Sequence, residues 1–170
     1  MSQFKEISPL EITENPFQLI GKDWLLVTAE QNQQCNMMTA SWGGVGIMWN
    51  KPVAFTFIRP QRHTFGMLEN SEYYSLCVLD NRYRDILTFC GTKSGRDVDK
   101  IKETGLTVEH IDGVPYFAEA KLVLVVKKLY AQNMNTESVK EKAVLKNYRA
   151  DGTDWHKMYI NEIVKVLVKD

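Results

Sequence analysis

Short apolar runs separated by polar, turn-forming breaks dominate the chain, and few stretches carry a helical period. "DWLLVTAE" (23–30) follows Gly21 and closes on the polar loop "QNQQCN". "MMTASW" (37–42), "PVAFTFI" (52–58) and "YYSLCVL" (73–79) come next, rich in β-branched or aromatic residues and bounded by turn formers. Two longer runs come late, "EAKLVLVVKKLYAQ" (119–132) and "MYINEIVKVLVK" (158–169). In the second, Val164, Val166 and Val168 alternate with Lys165 and Lys169, the period of two of a half-buried antiparallel strand.

Three segments predict short helices. "TFGMLENS" (64–71) starts at Thr64 as its cap, and "NRYRDILTFCG" (81–91) runs from Asn81 as N-cap to Gly91 as C-cap. "GRDVDKIKETG" (95–105) ends at Gly105, a residue suited to a left-handed cap. There is no internal repeat, low-complexity tract or linker. The expectation is one domain over residues 1–170, a mainly β antiparallel barrel with short flanking helices.

Composition narrows the function classes. With 170 residues, 44% of them hydrophobic and 25% charged, the chain can bury a core and falls outside the disordered class. Its 21 basic and 21 acidic residues balance, and no long basic block exists to neutralise phosphates, so no nucleic-acid partner is expected. Lys127-Lys128 reads as a solvated strand face. The longest apolar run, Leu122 to Val126, has five residues, far short of a membrane span. The start, "MSQFKEISPLEI", lacks the layout of a secretory signal. Cys35, Cys77 and Cys90 are irregularly spaced, which fits reduced thiols and a cytoplasmic location. His63, His110 and His156 have no ligand spacing, so no metal site is expected.

Three segments could carry chemistry. In "NMMTASWGGVGIMWN" (36–50), a strand would put Thr39 and Ser41 on one face, with Met38, Ala40 and Trp42 on the other. Two hydroxyls two residues apart can bind a phosphate or polyol, and the glycines beyond leave backbone open to a ligand. The same run also reads as a strand and tight turn with two core tryptophans. In "IRPQRHTF" (58–65), Arg59 and Arg62 flank a proline ahead of a helix start, where an anion is stabilised. An exposed arginine beside a capping threonine would look the same. In "GTKSGRDVDK" (91–100), Lys93, Arg96 and Lys100 surround a Ser-Gly turn without nucleotide-loop spacing. No nucleophile elbow or zinc helix appears, and no Cys–His pair suggests a nucleophile. Catalytic side chains are therefore not expected; a bound cofactor would carry any chemistry.

In this order, "NMMTASWGG" (36–44), "RPQRHTF" (59–65), "CGTKSGRDVDKIKETGL" (90–106) and the strand "MYINEIVKVLVK" resemble the flavin reductase-like family of FMN-binding split β-barrels, which includes the flavoredoxins. The resemblance implies a six-stranded Greek-key barrel acting as a homodimer, with FMN near the subunit interface. It implies that Thr39, Ala40, Ser41 and Trp42 line the ring and ribityl chain, with Asn36 and Met38 nearby. Arg62, His63 and Thr64 would hold the phosphate region, and Ser94, Arg96 and Lys100 would close the site. The implied activity is that of an FMN-dependent oxidoreductase, with hydride passing from NADH or NADPH to the flavin and on to a small-molecule or protein acceptor. The alternative is an FMN-binding electron carrier with no nicotinamide activity. A haem-binding relative would want an axial histidine, which no position supplies clearly. Trp49 and His156 fit either the site or the core. The polar segment 133–156 fits either a cover over the site or an arm to a partner.

Overall fold

The computed structural model describes residues 4–169. Its main sheet holds β1 (Phe4–Ile7), β2 (Leu25–Gln31), β3 (Gln34–Ala40), β4 (Gly43–Met48), β5 (Lys51–Ile58), β6 (Tyr73–Val78), β9 (Leu122–Asn133) and β10 (Lys157–Lys169). The strand order is β3-β2-β6-β9-β10-β5-β4, with β1 also paired to β10, and every pairing is antiparallel. A separate hairpin joins β7 (Val108–Ile111) to β8 (Val114–Phe117). The fold is the expected mainly β split barrel, and all six predicted runs are strands. The main sheet has eight strands rather than six, because β1 and β4 join it.

β3 and β4 lie at opposite ends of this order, yet only Ser41 and Trp42 separate them in sequence. The chain therefore steps from one sheet edge to the other at this corner, so the curled sheet nearly closes there. Curvature comes partly from β10, whose pairing with β9 slips between Ile160 and Asn161 and again between Ile163 and Lys165. The second slip breaks the simple alternation expected along this strand. Val164 is exposed, while Val166 and Leu167 are both buried.

Two apolar layers cover the sheet. Val27, Leu76, Leu124, Val126 and Tyr159 belong to one; Leu26, Cys77, Val123, Val125 and Leu167 belong to the other, with Leu87 and Phe117 from outside the sheet. Burial on both faces is why residues 122–126 form an unbroken apolar run.

The helices are α1 (Pro16–Gln18), α2 (His63–Glu69), α3 (Arg84–Thr92) and α4 (Lys100–Thr104). Their ends differ from the sequence reading. Thr64 lies inside α2, and Arg62 takes the N-cap position. Asn81 opens a separate 3-10 turn, and Gly91 sits within α3, where a Cβ would meet the Cβ of Thr39 at 3.3 Å. Only residues 100–104 of the third segment are helical, and Gly105 ends it with φ 67°. No helix among the described residues is long and apolar enough to cross a membrane.

Candidate functional site

The corner at Ser41–Trp42 forms one wall of a cleft of about 200 Å³. Met38 to Trp42 line it from the end of β3 and the corner after it, Phe57 from β5, Arg59 from just beyond β5, Arg62 from the turn before α2, and His156 from the entry to β10. A second cleft of about 140 Å³ lies on the other side of Arg62. Its walls are residues 61–64, residues 91–95 and Lys100, which brings the second and third sequence segments together.

The lining of the smaller cleft has a clear sign. It holds Arg62, Lys93, Lys100 and His63, the hydroxyls of Thr64, Thr92 and Ser94, and no carboxylate. Such a donor set fits an anion, phosphate in particular. Several of these groups also serve the fold. Arg62 donates to the carbonyls of Gly91 (3.1 Å) and Cys90 (3.2 Å), and buried Lys100 donates to those of Met37 (2.9 Å) and Cys90 (2.8 Å). Both cations thus cap the C-terminal end of α3, where unpaired carbonyls favour positive charge. Burial, with the Arg62 charge beside it, pulls the Lys100 amine down to about 8. Burial and the charges of Arg96 and Lys100 lower the His63 pKa, favouring a neutral ring.

The sequence-derived residues fall into distinct groups. Ala40, Ser41 and Trp42 line the larger cleft, and the Trp42 ring is 47% exposed, so its face is open to a ligand. Met38 lines it from a largely buried position. The Thr39 hydroxyl donates to the carbonyl of Leu87 in α3, so it ties strand to helix. Asn36 lies behind the cleft and donates to the hydroxyl of buried Thr64 at 2.9 Å. Ser94 accepts from the Arg96 backbone N–H at 3.2 Å, and its own proton is left to donate. Arg96 reaches back to the Gln61 carbonyl at 2.9 Å and fastens the third segment to the second. Gly95 sits under this clasp. A Cβ there would lie 2.7 Å from Asn36 Oδ1 and 2.8 Å from His63 Cδ2.

Eight lining residues were absent from the sequence-derived set: Phe57, Arg59, Gln61, Gly91, Thr92, Lys93, Gly95 and His156. Arg59 and Lys93 stand in segments already singled out for positive charge. Phe57 gave no local signal and His156 was left between site and core, because both reach the cleft through the pairing of β5 with β10. The His156 ring is buried, 5.1 Å from Trp42 between centroids, and its Nδ1 is 2.9 Å from the Tyr148 hydroxyl. Burial, and then Arg59, push its pKa down to about 4 although Asp154 opposes them. His156 is a neutral ring at ordinary pH. Trp49 lies in the two-residue turn from β4 to β5, with φ 50°, and its ring is 6.3 Å from Tyr130. It does not line either cleft.

The polar segment 133–156 folds back over this end of the barrel. Arg59 pairs with Asp154 and donates to the Asn147 carbonyl at 2.8 Å, while Asp154 also accepts from the Arg149 N–H at 2.7 Å. The segment is therefore fastened beside the larger cleft by its own chain.

Comparison with known proteins agrees with this fold. An FMN-binding domain of a flavin reductases-like enzyme from Shewanella baltica OS155 superposes with a TM-score of 0.71 at 16% identity, covering 99% of this chain and 78% of that one. Flavoredoxin from Methanosarcina acetivorans gives a TM-score of 0.67 at 15% identity over 87% of this chain and 69% of its own. In sequence, an uncharacterised protein of Aeropyrum pernix is 30% identical over 99 residues, 56% of this chain and only 37% of that relative's length. The profile of the flavin reductase like domain matches residues 18–170, nearly the whole chain. With that match over most of its length, this chain belongs to the flavin reductase like domain family.

Proposed function

We propose that the chain binds FMN across the two joined clefts and is an FMN-dependent oxidoreductase. In this reading it passes hydride from NADH or NADPH to the flavin and electrons onward to a small-molecule or protein acceptor. The observation that carries it is the pairing of a carboxylate-free cationic cleft with a tryptophan-walled one, joined at Arg62. Phosphate would lie among Arg62, Lys93, Ser94 and Lys100. The ribityl chain and ring would run along residues 38–42, with Ser41 donating and Trp42 covering an edge. Asn36, Thr39, Thr64 and Arg96 would hold these groups in place, and neutral His63 and His156 would offer ring N–H groups rather than charge. Bound flavin supplies the hydride and electron chemistry; the protein's part is to orient it and set its surroundings.

A homodimer is part of this proposal. Ile47, Met48 and Trp49 lie exposed on or just after the edge strand β4, at its end away from the Ser41–Trp42 corner. Such an apolar edge favours a partner. The three cysteines are free, which supports a reducing, cytoplasmic location.

An absorbance spectrum of the purified protein with added FMN, followed by anaerobic NADH and NADPH, tests the reading. Bound flavin that bleaches with either donor is the expected result. Bound flavin that stays oxidised would make the protein an electron carrier. Failure to bind FMN would overturn the whole reading.

A further inference from the structure

Beside the candidate flavin cleft lies a larger cavity of about 580 Å³, on the far side of Trp42. We propose that it binds a flat, largely apolar ring compound of the quinone class, the electron acceptor of this protein. The acceptor role rests on the flavin reading above, whereas the binding itself does not.

Four features point to that occupant. The volume falls within the roughly 300–1,000 Å³ of small-molecule pockets and would take one or two rings. The rings of Tyr148 and Trp155 stack at 3.9 Å and 23°, presenting a flat aromatic surface to one side. Met134, Val139, Val144 and Met158 add apolar contacts, and Met adapts to rings of varied outline. Gln132, Asn133, Asn135, Ser138 and Asn147 supply polar groups suited to a ring carbonyl, and the charged lining residues are only Lys140 and Glu141.

Its position also suits an acceptor. Trp42 lines both this cavity and the flavin cleft, so the two sites share one indole wall. The roof is fixed at both ends: the Met134 N–H donates to the His156 carbonyl at 3.0 Å, and Arg59 holds the Asn147 carbonyl at 2.8 Å. Between these ties Val144 is 41% exposed at the mouth, where a substitution can reach the cavity without disturbing the core. The overall reaction balances: NAD(P)H, the quinone and one proton from solvent give NAD(P)⁺ and the hydroquinone.

Equilibrium dialysis of menadione, a naphthoquinone, against the FMN-loaded protein tests the assignment, with flavin content read from the visible spectrum of the same samples. We expect saturable retention of one menadione per chain. Val144→Lys, and separately Val139→Asp, should weaken it by about tenfold or more, because each sets a charge in an apolar wall. FMN content and thermal melting serve as the controls for each variant. Retention that neither variant alters places menadione elsewhere and overturns the proposal. So does a lack of saturable retention, the result if a second copy of the chain fills the cavity. If FMN fails to bind while menadione retention still responds to both variants, the flavin reading falls and the binding site stands.

Discussion

Arg62 and Lys100 converge on a single backbone oxygen, that of Cys90, at 3.2 and 2.8 Å. The end of α3 thus holds two cations at the wall of the small cleft, and the cost of crowding them appears in Lys100. Burial and the neighbouring guanidinium lower its pKa to about 8. An anionic ligand would favour the charged amine, so the complex keeps a proton that the free protein loses above that pH. We predict that FMN affinity is level below pH 8 and weakens by up to about tenfold per unit above it. Lys100→Met should bind more weakly at neutral pH and lose this alkaline slope. Titration of FMN fluorescence across pH reads both outcomes, and an unchanged slope in the variant would remove Lys100 from the explanation.

Gly95→Ala gives a different kind of test. The added methyl would lie 2.7 Å from Asn36 Oδ1 and 2.8 Å from His63 Cδ2, and Asn36 is tied to buried Thr64. Relief requires the loop or those two side chains to move, at about 1–3 kcal/mol for an overpacked site. FMN binding should weaken clearly while the sheet stays folded. Thermal melting alongside FMN titration separates the two effects, and equal affinity in the variant would exclude this loop from the site.

Thr39 shows why a motif can be legible while the role of one of its residues is not. Its place in "NMMTASWGG" suggests a hydroxyl for the ligand, yet that hydroxyl donates to the Leu87 carbonyl, 48 residues away. Thr39→Val should therefore lower stability by about 0.5–1.5 kcal/mol by removing this strand–helix hydrogen bond, and Thr39→Ser should restore most of it. Denaturant melts of the two variants check this, and a Val variant as stable as the parent would mean that the bond contributes nothing.

The same distinction separates what the sequence made readable from what it hid. Residues 122–126 read as a strand because burial on both faces leaves a continuous apolar run, and residues 74–78 are buried on both faces with only Ser75 polar. β4 was hidden because Gly43, Gly44 and Gly46 carry no side-chain pattern. Gly43 is there for close approach, since a Cβ would stand 2.7 Å from the Phe55 carbonyl oxygen. The β7–β8 hairpin has an Asp112-Gly113 turn with φ 50° and 78°, a local signal that the sequence reading passed over. In the site, charge clusters were visible within single segments. Phe57 was not, and His156 stayed undecided between site and core, because only the register of β5 on β10 brings them together.

His156 gives a final prediction that needs no ligand. Its ring is buried against Trp42 and bonded to the Tyr148 hydroxyl, and burial with the Arg59 charge lowers its pKa from 6.5 to about 4. Between those two values the unfolded chain holds a proton that the folded chain refuses. The contribution of the neutral ring to stability is thus complete above pH 6.5 and is lost as the pH falls toward 4. The slope in that window should approach about 1.4 kcal/mol per pH unit from this residue alone. His156→Gln keeps a polar group near Tyr148 but cannot titrate, so its stability should fall less steeply over the same range. Urea melts from mildly acidic to neutral pH provide the comparison. Parallel curves for the parent and the variant would show that His156 is protonated in the folded protein, and that Arg59 and burial do not hold it neutral.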